Sequence, residues 1–213
     1  MELIPAAVEA FSEKYTSPES GLMYKLNRET HLKFELPHML SGQVQGEFLR
    51  IVSHMIRPRR VLELGTYTGY SAICLAAGLT TDGILHTIDV NEELETLCHQ
   101  YFEASGNADK IKMHIGKAAD IIAQLDEVFD LVFIDADKAG YVHYYDQVWD
   151  KLRPGGFILA DNVLYHGQVL APESEQGSQA KAMVRFCEKV LADDRAEQVL
   201  LTIRDGVLMI RKK

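Results

Sequence analysis

The sequence predicts an α/β fold: a seven-stranded, mostly parallel sheet with helices on both faces, a helical N-terminal extension and a C-terminal antiparallel hairpin. Three observations predict it. From Arg60 onward, short apolar runs alternate with longer amphipathic stretches, the strand–helix rhythm of a parallel sheet. Val61-Leu62-Glu63-Leu64 and Leu131-Val132-Phe133-Ile134 are nearly continuous in apolar residues, as strands covered on both faces are. Finally, the runs 199–203 and 207–210 flank Arg204-Asp205-Gly206, which reads as the turn of a hairpin.

Residues 1–57 read as the helical extension, in three pieces at 5–15, 20–31 and 41–56, with breaks marked by Pro37, Gly42 and Pro58. In the third piece Val44, Phe48, Ile51, Val52 and Met55 recur at helical spacing and predict its inward face. The first strand, 61–64, leads through Gly65-Thr66-Tyr67-Thr68-Gly69 into a helix at 70–79. A second strand, 84–88, ends at Asp89, and Asn91 can cap a helix whose stripe is Leu94, Leu97, Cys98, Tyr101 and Phe102, closed by Gly106. A strand at 111–115 and a short helix at 118–125 follow. After the 131–134 strand comes a helix with Tyr141, Tyr144, Tyr145, Val148 and Leu152 on one side. Arg153-Pro154-Gly155-Gly156 reads as a turn into the strand 157–160. Residues 165–179 are polar and irregular, a loop long enough to suggest a functional role, and 180–191 reads as the last helix. A chain of 213 residues without internal repeats fits one domain, 1–213.

Composition narrows the function. With 22 basic and 31 acidic residues the net charge is -9, which disfavours a polyanionic partner such as nucleic acid. Cys74, Cys98 and Cys187 lie far apart in apolar patterns with no CxxC pair, so they read as buried thiols of a reducing compartment. Glu2 and Pro5 stand where a secretory signal would have a basic start and an apolar run, and no stretch approaches the ~18 apolar residues of a membrane span; a cytoplasmic protein is expected. Most of the eight histidines show no metal-ligand spacing; His166, close to Asp161, is the one set apart for testing.

Two groups of residues carry chemistry. Glu63-Leu64-Gly65-Thr66-Tyr67-Thr68-Gly69 places glycines in a strand-to-helix turn at GxxxG spacing, not the GxGxxG that cradles a pyrophosphate. Asp89 ends the next strand, about 20 residues on, where a carboxylate accepts the two hydroxyls of a ribose. A nucleoside cofactor without a phosphate to cradle fits, and S-adenosylmethionine is the common one. The plainer reading is a tight turn followed by a capping acid. The second group sits after two strands predicted to be neighbours: Asp135 follows Ile134, and Asp161-Asn162 follow Ala160. Their oxygens suit a hard cation, with no His or Cys pair to favour zinc. Three protein oxygens leave about three places in a Mg²⁺ shell, two of which a dihydroxylated aromatic ring would fill. Lys138, one helical turn after Asp135, is placed to take a hydroxyl proton. Asp137 reads as a helix cap or an exposed partner of Lys138.

Residues 61–71, Ile134-Asp135-Ala136-Asp137-Lys138 and Asp161-Asn162-Val163-Leu164 together resemble the three signatures of the cation-dependent O-methyltransferases, which include the catechol and caffeoyl-CoA enzymes. The likeness runs from Met39-Leu40-Ser41-Gly42 to the terminal hairpin. It implies a Rossmann-like class I methyltransferase fold, metal ligation by Asp135, Asp161 and Asn162, and catalysis by Lys138 with Asp135. It also implies that Ser41, Glu63, Gly65, Tyr67 and Ser71 line the methionine part of the cofactor, that Asp89 holds the ribose, that Ala118 lies by the adenine and that Asp135 is a cofactor-binding residue as well as a metal ligand. Mg²⁺, or Mn²⁺ or Ca²⁺ in its place, and a homodimer are implied as well. The tryptophans that catechol and plant enzymes use at the substrate wall are replaced here by Ala136-Asp137 and Tyr165, so the wall, expected from 25–36 and 165–179, names no substrate.

The expected activity is therefore divalent-metal-dependent methyl transfer from S-adenosylmethionine to a small phenolic substrate with vicinal hydroxyls, of catechol or caffeoyl type. Two alternatives stand beside it. One is methylation of a hydroxylated uridine in tRNA, against which the acidic charge weighs. The other is a non-catalytic cofactor-binding protein, against which the full set Asp89, Asp135, Lys138, Asp161 and Asn162 weighs.

Overall fold

The structure, a computed structural model, describes residues 3–213. Its N-terminal part is helical: α1 (Ala6–Tyr15), α2 (Gly21–Lys33) and α3 (Gly42–Ile56), with a 3₁₀ turn at Pro37–Met39. Then β1 (Arg60–Leu64), α4 (Tyr70–Ala76), β2 (Ile84–Asp89), α5 (Glu95–Ala104), β3 (Ile111–Ile115) and α6 (Ala118–Gln124) alternate. They are followed by β4 (Phe129–Ile134), α7 (Tyr141–Lys151), β5 (Leu152–Ala160), α8 (Ser178–Leu191), β6 (Ala196–Leu201) and β7 (Val207–Lys212). The seven strands form one sheet in the order β3-β2-β1-β4-β5-β7-β6. β1 to β5 are parallel, and β7 pairs antiparallel with both β5 and β6. Among the described residues no helix is long and apolar enough to cross a membrane.

Strand alternation sends successive side chains to opposite faces. Leu62, Leu64, Val132, Ile134 and Ile158 meet Tyr141, Tyr145 and Val148 of α7 and Met183, Phe186 and Val190 of α8. Val61, Leu131, Phe133 and Leu159 meet Leu26 of α2, Leu49 of α3, Leu75 of α4 and Phe102 of α5. Each fully buried Leu, Val or Phe contributes roughly 1.5–3 kcal/mol relative to exposure. The amino ends of the central strands are stapled by Asp130, whose carboxylate accepts hydrogen bonds from the Arg59 and Arg60 amides (2.7 and 2.9 Å) and from Arg153 Nε (2.5 Å).

Several boundaries differ from the sequence expectation for physical reasons. α3 turns Gln45, Gly46, Leu49, Val52 and Ser53 inward, whereas Ile51 and Met55 of the predicted stripe are exposed. The contact with α4 is close enough that small residues define it. A Cβ on Gly46 would lie 2.5 Å from the Tyr70 ring, and one on Gly78 would lie 2.2 Å from the Ser53 carbonyl carbon. The expected turn at 153–156 is a bulge inside β5. Phe129 pairs with Leu152 and Leu131 already with Phe157, so the extra residues, including Gly155 at φ 72°, are looped out of register. In the 165–179 loop, Tyr165–Leu170 and Glu173–Glu175 form 3₁₀ turns.

Candidate active site

The strand order reverses between β1, which continues to β2, and β4, which continues to β5. Open α/β sheets bind ligands in the crevice at the carboxyl ends flanking such a point. There the backbone is drawn tight. Asp135 N donates to Leu64 O (2.8 Å) and Asp161 N to Ile134 O (2.9 Å), extending the ladder one residue past β1, β4 and β5. Gly65, at φ 98°, lies so close to β4 that a Cβ there would sit 1.9 Å from the Asp135 carbonyl oxygen. The glycine thus makes room for the neighbouring strand end.

Asp135, Lys138, Asp161 and Asn162 are brought together. Lys138 Nζ donates to Asp135 Oδ1 (3.1 Å), to Asn162 Oδ1 (2.8 Å) and to Tyr141 OH (3.0 Å). Asp161 is 2% exposed, and its Oδ1 accepts from the Asn162 amide at 2.8 Å. Burial, and next the adjacent Asp135 carboxylate, raise the Asp161 carboxyl to about 7. Gln45, the Asn162 amide and Lys138 oppose that rise. Asn162 occupies the left-handed region at φ 59°, as do Tyr165 and His166 (φ 44° and 54°), so the segment after β5 is held in a costly conformation around the site.

Among the described residues no group of three His, Cys, Asp or Glu side chains is set to hold a metal ion. The donor set is instead two carboxylates and one amide oxygen, gathered around a cationic ammonium. Such an all-oxygen set, with one carboxyl buried, fits a hard divalent ion.

The residues expected on the cofactor side line the same crevice nearer β1 and β2. Glu63 is fully buried. Its Oε2 accepts from Thr87 Oγ1 at 2.6 Å, and Oε1 has no protein partner. Burial pushes its carboxyl up to about 8. Asp89 ends β2, and its Oδ2 and Oδ1 accept from the Tyr67 and Asn91 amides (2.7 and 2.9 Å). The helical turn that follows is capped by Asn91, whose side chain accepts from Glu93 N, so Asp89 is not its cap, and the Asp89 carboxylate still has lone pairs for further donors. Tyr67 sits at φ 47°, with its hydroxyl donating to Leu36 O at 3.2 Å. Ala118 opens α6 beside Gly116, whose amide donates to Asp89 O at 2.8 Å. Ser41 is buried at the start of α3.

Asp137 faces away from the oxygen cluster. It caps the turn that follows, accepting from Gly140 N at 3.0 Å and from the Tyr144 hydroxyl. His166 is exposed; its amide donates to Asp205 Oδ1 (2.6 Å) and its Nδ1 lies 3.7 Å from Asp205 Oδ2. Sequence reasoning missed Tyr141, which looked like core. It is core on one side, but its hydroxyl donates to Asp161 O (3.0 Å) and Ile134 O (3.2 Å) while receiving from Lys138. Gln45 was missed for the same reason: nothing in a helical pattern distinguishes a buried amide whose oxygen accepts from a distant guanidinium, here Arg204 at 2.9 Å.

A profile of the O-methyltransferase family matches residues 12–213. The chain is 30% identical over 199 residues to caffeoyl-CoA O-methyltransferase 5 of Nicotiana tabacum, covering 87% of this chain and 82% of that one. An SAH-bound methyltransferase from Podospora anserina superposes with a TM-score of 0.89 at 27% identity, over 97% of this chain and 94% of its own. The O-methyltransferase from Bacillus cereus in complex with SAH does so with a TM-score of 0.87 at 28% identity, over 97% of each chain. Profile, sequence and fold agree over almost the whole length: the chain belongs to the O-methyltransferase family, a group of S-adenosylmethionine-dependent enzymes.

Proposed function

We propose that the protein transfers a methyl group from S-adenosylmethionine to one hydroxyl of a small vicinal-diol aromatic, of catechol or caffeoyl type, with the help of a divalent cation, Mg²⁺ first among Mg²⁺, Mn²⁺ and Ca²⁺. The observation that carries this reading is the convergence of Asp135 and Asn162 oxygens on the Lys138 ammonium at the ends of β4 and β5, with the buried Asp161 carboxylate tied to the Asn162 amide beside them. Asp135, Asp161 and Asn162 would hold the metal, which supplies positive charge that lowers the pKa of a hydroxyl beside it. The cofactor supplies an electrophilic methyl group on a sulfonium.

Lys138 Nζ is the proton carrier of the site. Tyr141 OH and the Asp135 and Asn162 oxygens fix its position; once the ammonium has given up one proton to solvent, the neutral amine at Nζ would receive the proton of the substrate hydroxyl. Glu63, with its unpartnered Oε1, and Ser71 would receive the methionine end of the cofactor together with Ser41, Gly65 and Tyr67. Asp89 would accept the ribose hydroxyls and Ala118 would flank the adenine.

The test is a screen with labelled cofactor over catechols, acyl-CoA phenols, flavonoids and bulk tRNA, with Mg²⁺ and with excess EDTA. Methylation of a diphenol that EDTA abolishes is expected. Undiminished turnover in EDTA sinks the metal assignment, and methylation of tRNA alone sinks the substrate class. For its state in solution we propose a homodimer. α1 buries none of its residues and exposes Val8, Phe11 and Tyr15 along one side, which supports a second copy as its cover. Sedimentation velocity should give a dimer, and Phe11→Glu should give monomers.

A further inference from the structure

The turn between β6 and β7 contains Arg204 at φ 47°, a left-handed conformation that a residue with a side chain adopts only at a cost in free energy. The geometry around its side chain explains why that cost is borne. Arg204 Nη1 lies 2.8 Å from Leu40 O, 2.8 Å from Ser41 O and 2.9 Å from Gln45 Oε1, and Nη2 lies 3.0 Å from His38 O. One guanidinium thus gathers three main-chain carbonyls and a buried amide from the start of α3. The same turn also grips the opposite wall. Val163 N donates to Gly206 O (3.1 Å), Leu164 N to Asp205 O (2.9 Å) and His166 N to Asp205 Oδ1 (2.6 Å).

From this we infer that Arg204 is a positioning residue for methyl transfer: its guanidinium locks 38–45 against the hairpin, which places Ser41 on the cofactor side and fixes the orientation of the buried Gln45 amide. The orientation of Gln45 follows from donor and acceptor chemistry. An amide whose Oε1 accepts from a guanidinium must direct Nε2 away from it. That Nε2 is buried and makes no hydrogen bond, so Arg204 is the group that holds the amide in place. Four acceptors spread over two nitrogens exceed the three protons of an ammonium, and the rigid fork fixes their relative places, so lysine is not an equivalent replacement. The inference rests on the proposed reading of the crevice as a cofactor and metal site.

The test uses the full chain with Arg204→Gly, which tolerates the left-handed turn but removes the fork, and Arg204→Lys, which keeps the charge. In ligand-free protein, amide hydrogen exchange at 38–45 should accelerate in both variants while the other elements keep wild-type rates. Calorimetric titration with S-adenosylhomocysteine should show affinity weakened on the order of tenfold, the loss expected for removing charge-assisted hydrogen bonds. The KM for S-adenosylmethionine should rise in parallel, with kcat at saturating cofactor within about a factor of two. Wild-type exchange at 38–45 and wild-type affinity in Arg204→Gly overturn the inference, and full rescue by Arg204→Lys overturns the role of the fork. Failure of the wild-type protein to bind S-adenosylhomocysteine overturns the cofactor reading itself, and that outcome is separate from any effect of the variants.

Discussion

Gly65 has no space for a side chain. A methyl group there would meet the Asp135 carbonyl oxygen at 1.9 Å, and φ 98° is unfavourable for any other residue. Gly65→Ala should therefore cost about 3 kcal/mol or more, read as a lowered urea midpoint, because the left-handed strain and a backbone clash add. Asp135→Ala removes one carboxylate without crowding. It should reduce turnover by at least ~10²-fold while S-adenosylhomocysteine still binds, since the loss falls on charge stabilisation in the reaction. Equal loss of cofactor binding would place Asp135 in the cofactor pocket and not at a metal. At this scale the sequence was most legible where chemistry and position coincide: Asp135, Lys138, Asp161 and Asn162 follow strand ends, and the structure joins them directly or through shared hydrogen bonds. Tyr141, Gln45 and Arg204 were illegible because their roles arise from contacts across the fold, in Arg204's case 166 residues away in sequence from His38.

At the scale of elements, β2 and β3 carry an imidazole pair, His86 buried and His114 half-buried. His86 Nδ1 lies 2.9 Å from His114 Nε2 with the rings stacked, Phe129 packs edge-on to His86, and Glu127 Oε1 is 3.9 Å from His86 Nε2. Burial, and next the neighbouring His114, lower His86 to about 4, and burial lowers His114 as well. Lys112 and Arg60 push His86 the same way, and Glu127 opposes them. A folded-state pKa below the unfolded value of ~6.5 means that the unfolded chain takes the proton first. Stability should thus be unaffected by His86 above pH 6.5 and fall as the pH drops toward 4, by about 3 kcal/mol in all. Urea titrations at pH 7 and pH 4.5 check this: His86→Gln should flatten the decline, and a parallel decline in both proteins would show that other groups carry it. The elements themselves follow apolar periodicity where it is unambiguous, as in α5, where Cys98, Tyr101 and Phe102 of the expected stripe are buried and Leu97 is half-buried, with Leu94 buried in the turn before it. α3 was rotated because the reading weighed apolar bulk, whereas Gly46, Ser53 and Gly78 let two helices approach to a distance that larger side chains forbid.

For the whole molecule, the alternation of strands and helices was enough to anticipate a parallel sheet closed by a hairpin, because right-handed crossovers leave few other arrangements. The order of strands within that hairpin was not: β7 lies between β5 and β6, so the connection from α8 carries the chain past a vacant place to the sheet's edge before β7 returns to fill it. That return has a kinetic consequence. Pairings of β1 with β2 and of β4 with β5 join segments near in sequence, while the turn that ties Arg204 to α3 must wait for nearly the whole chain. Contacts of such long range form late and slowly. On refolding from urea, helical circular dichroism should recover before the capacity to bind S-adenosylhomocysteine, and the lag between them would time the arrival of a single strand.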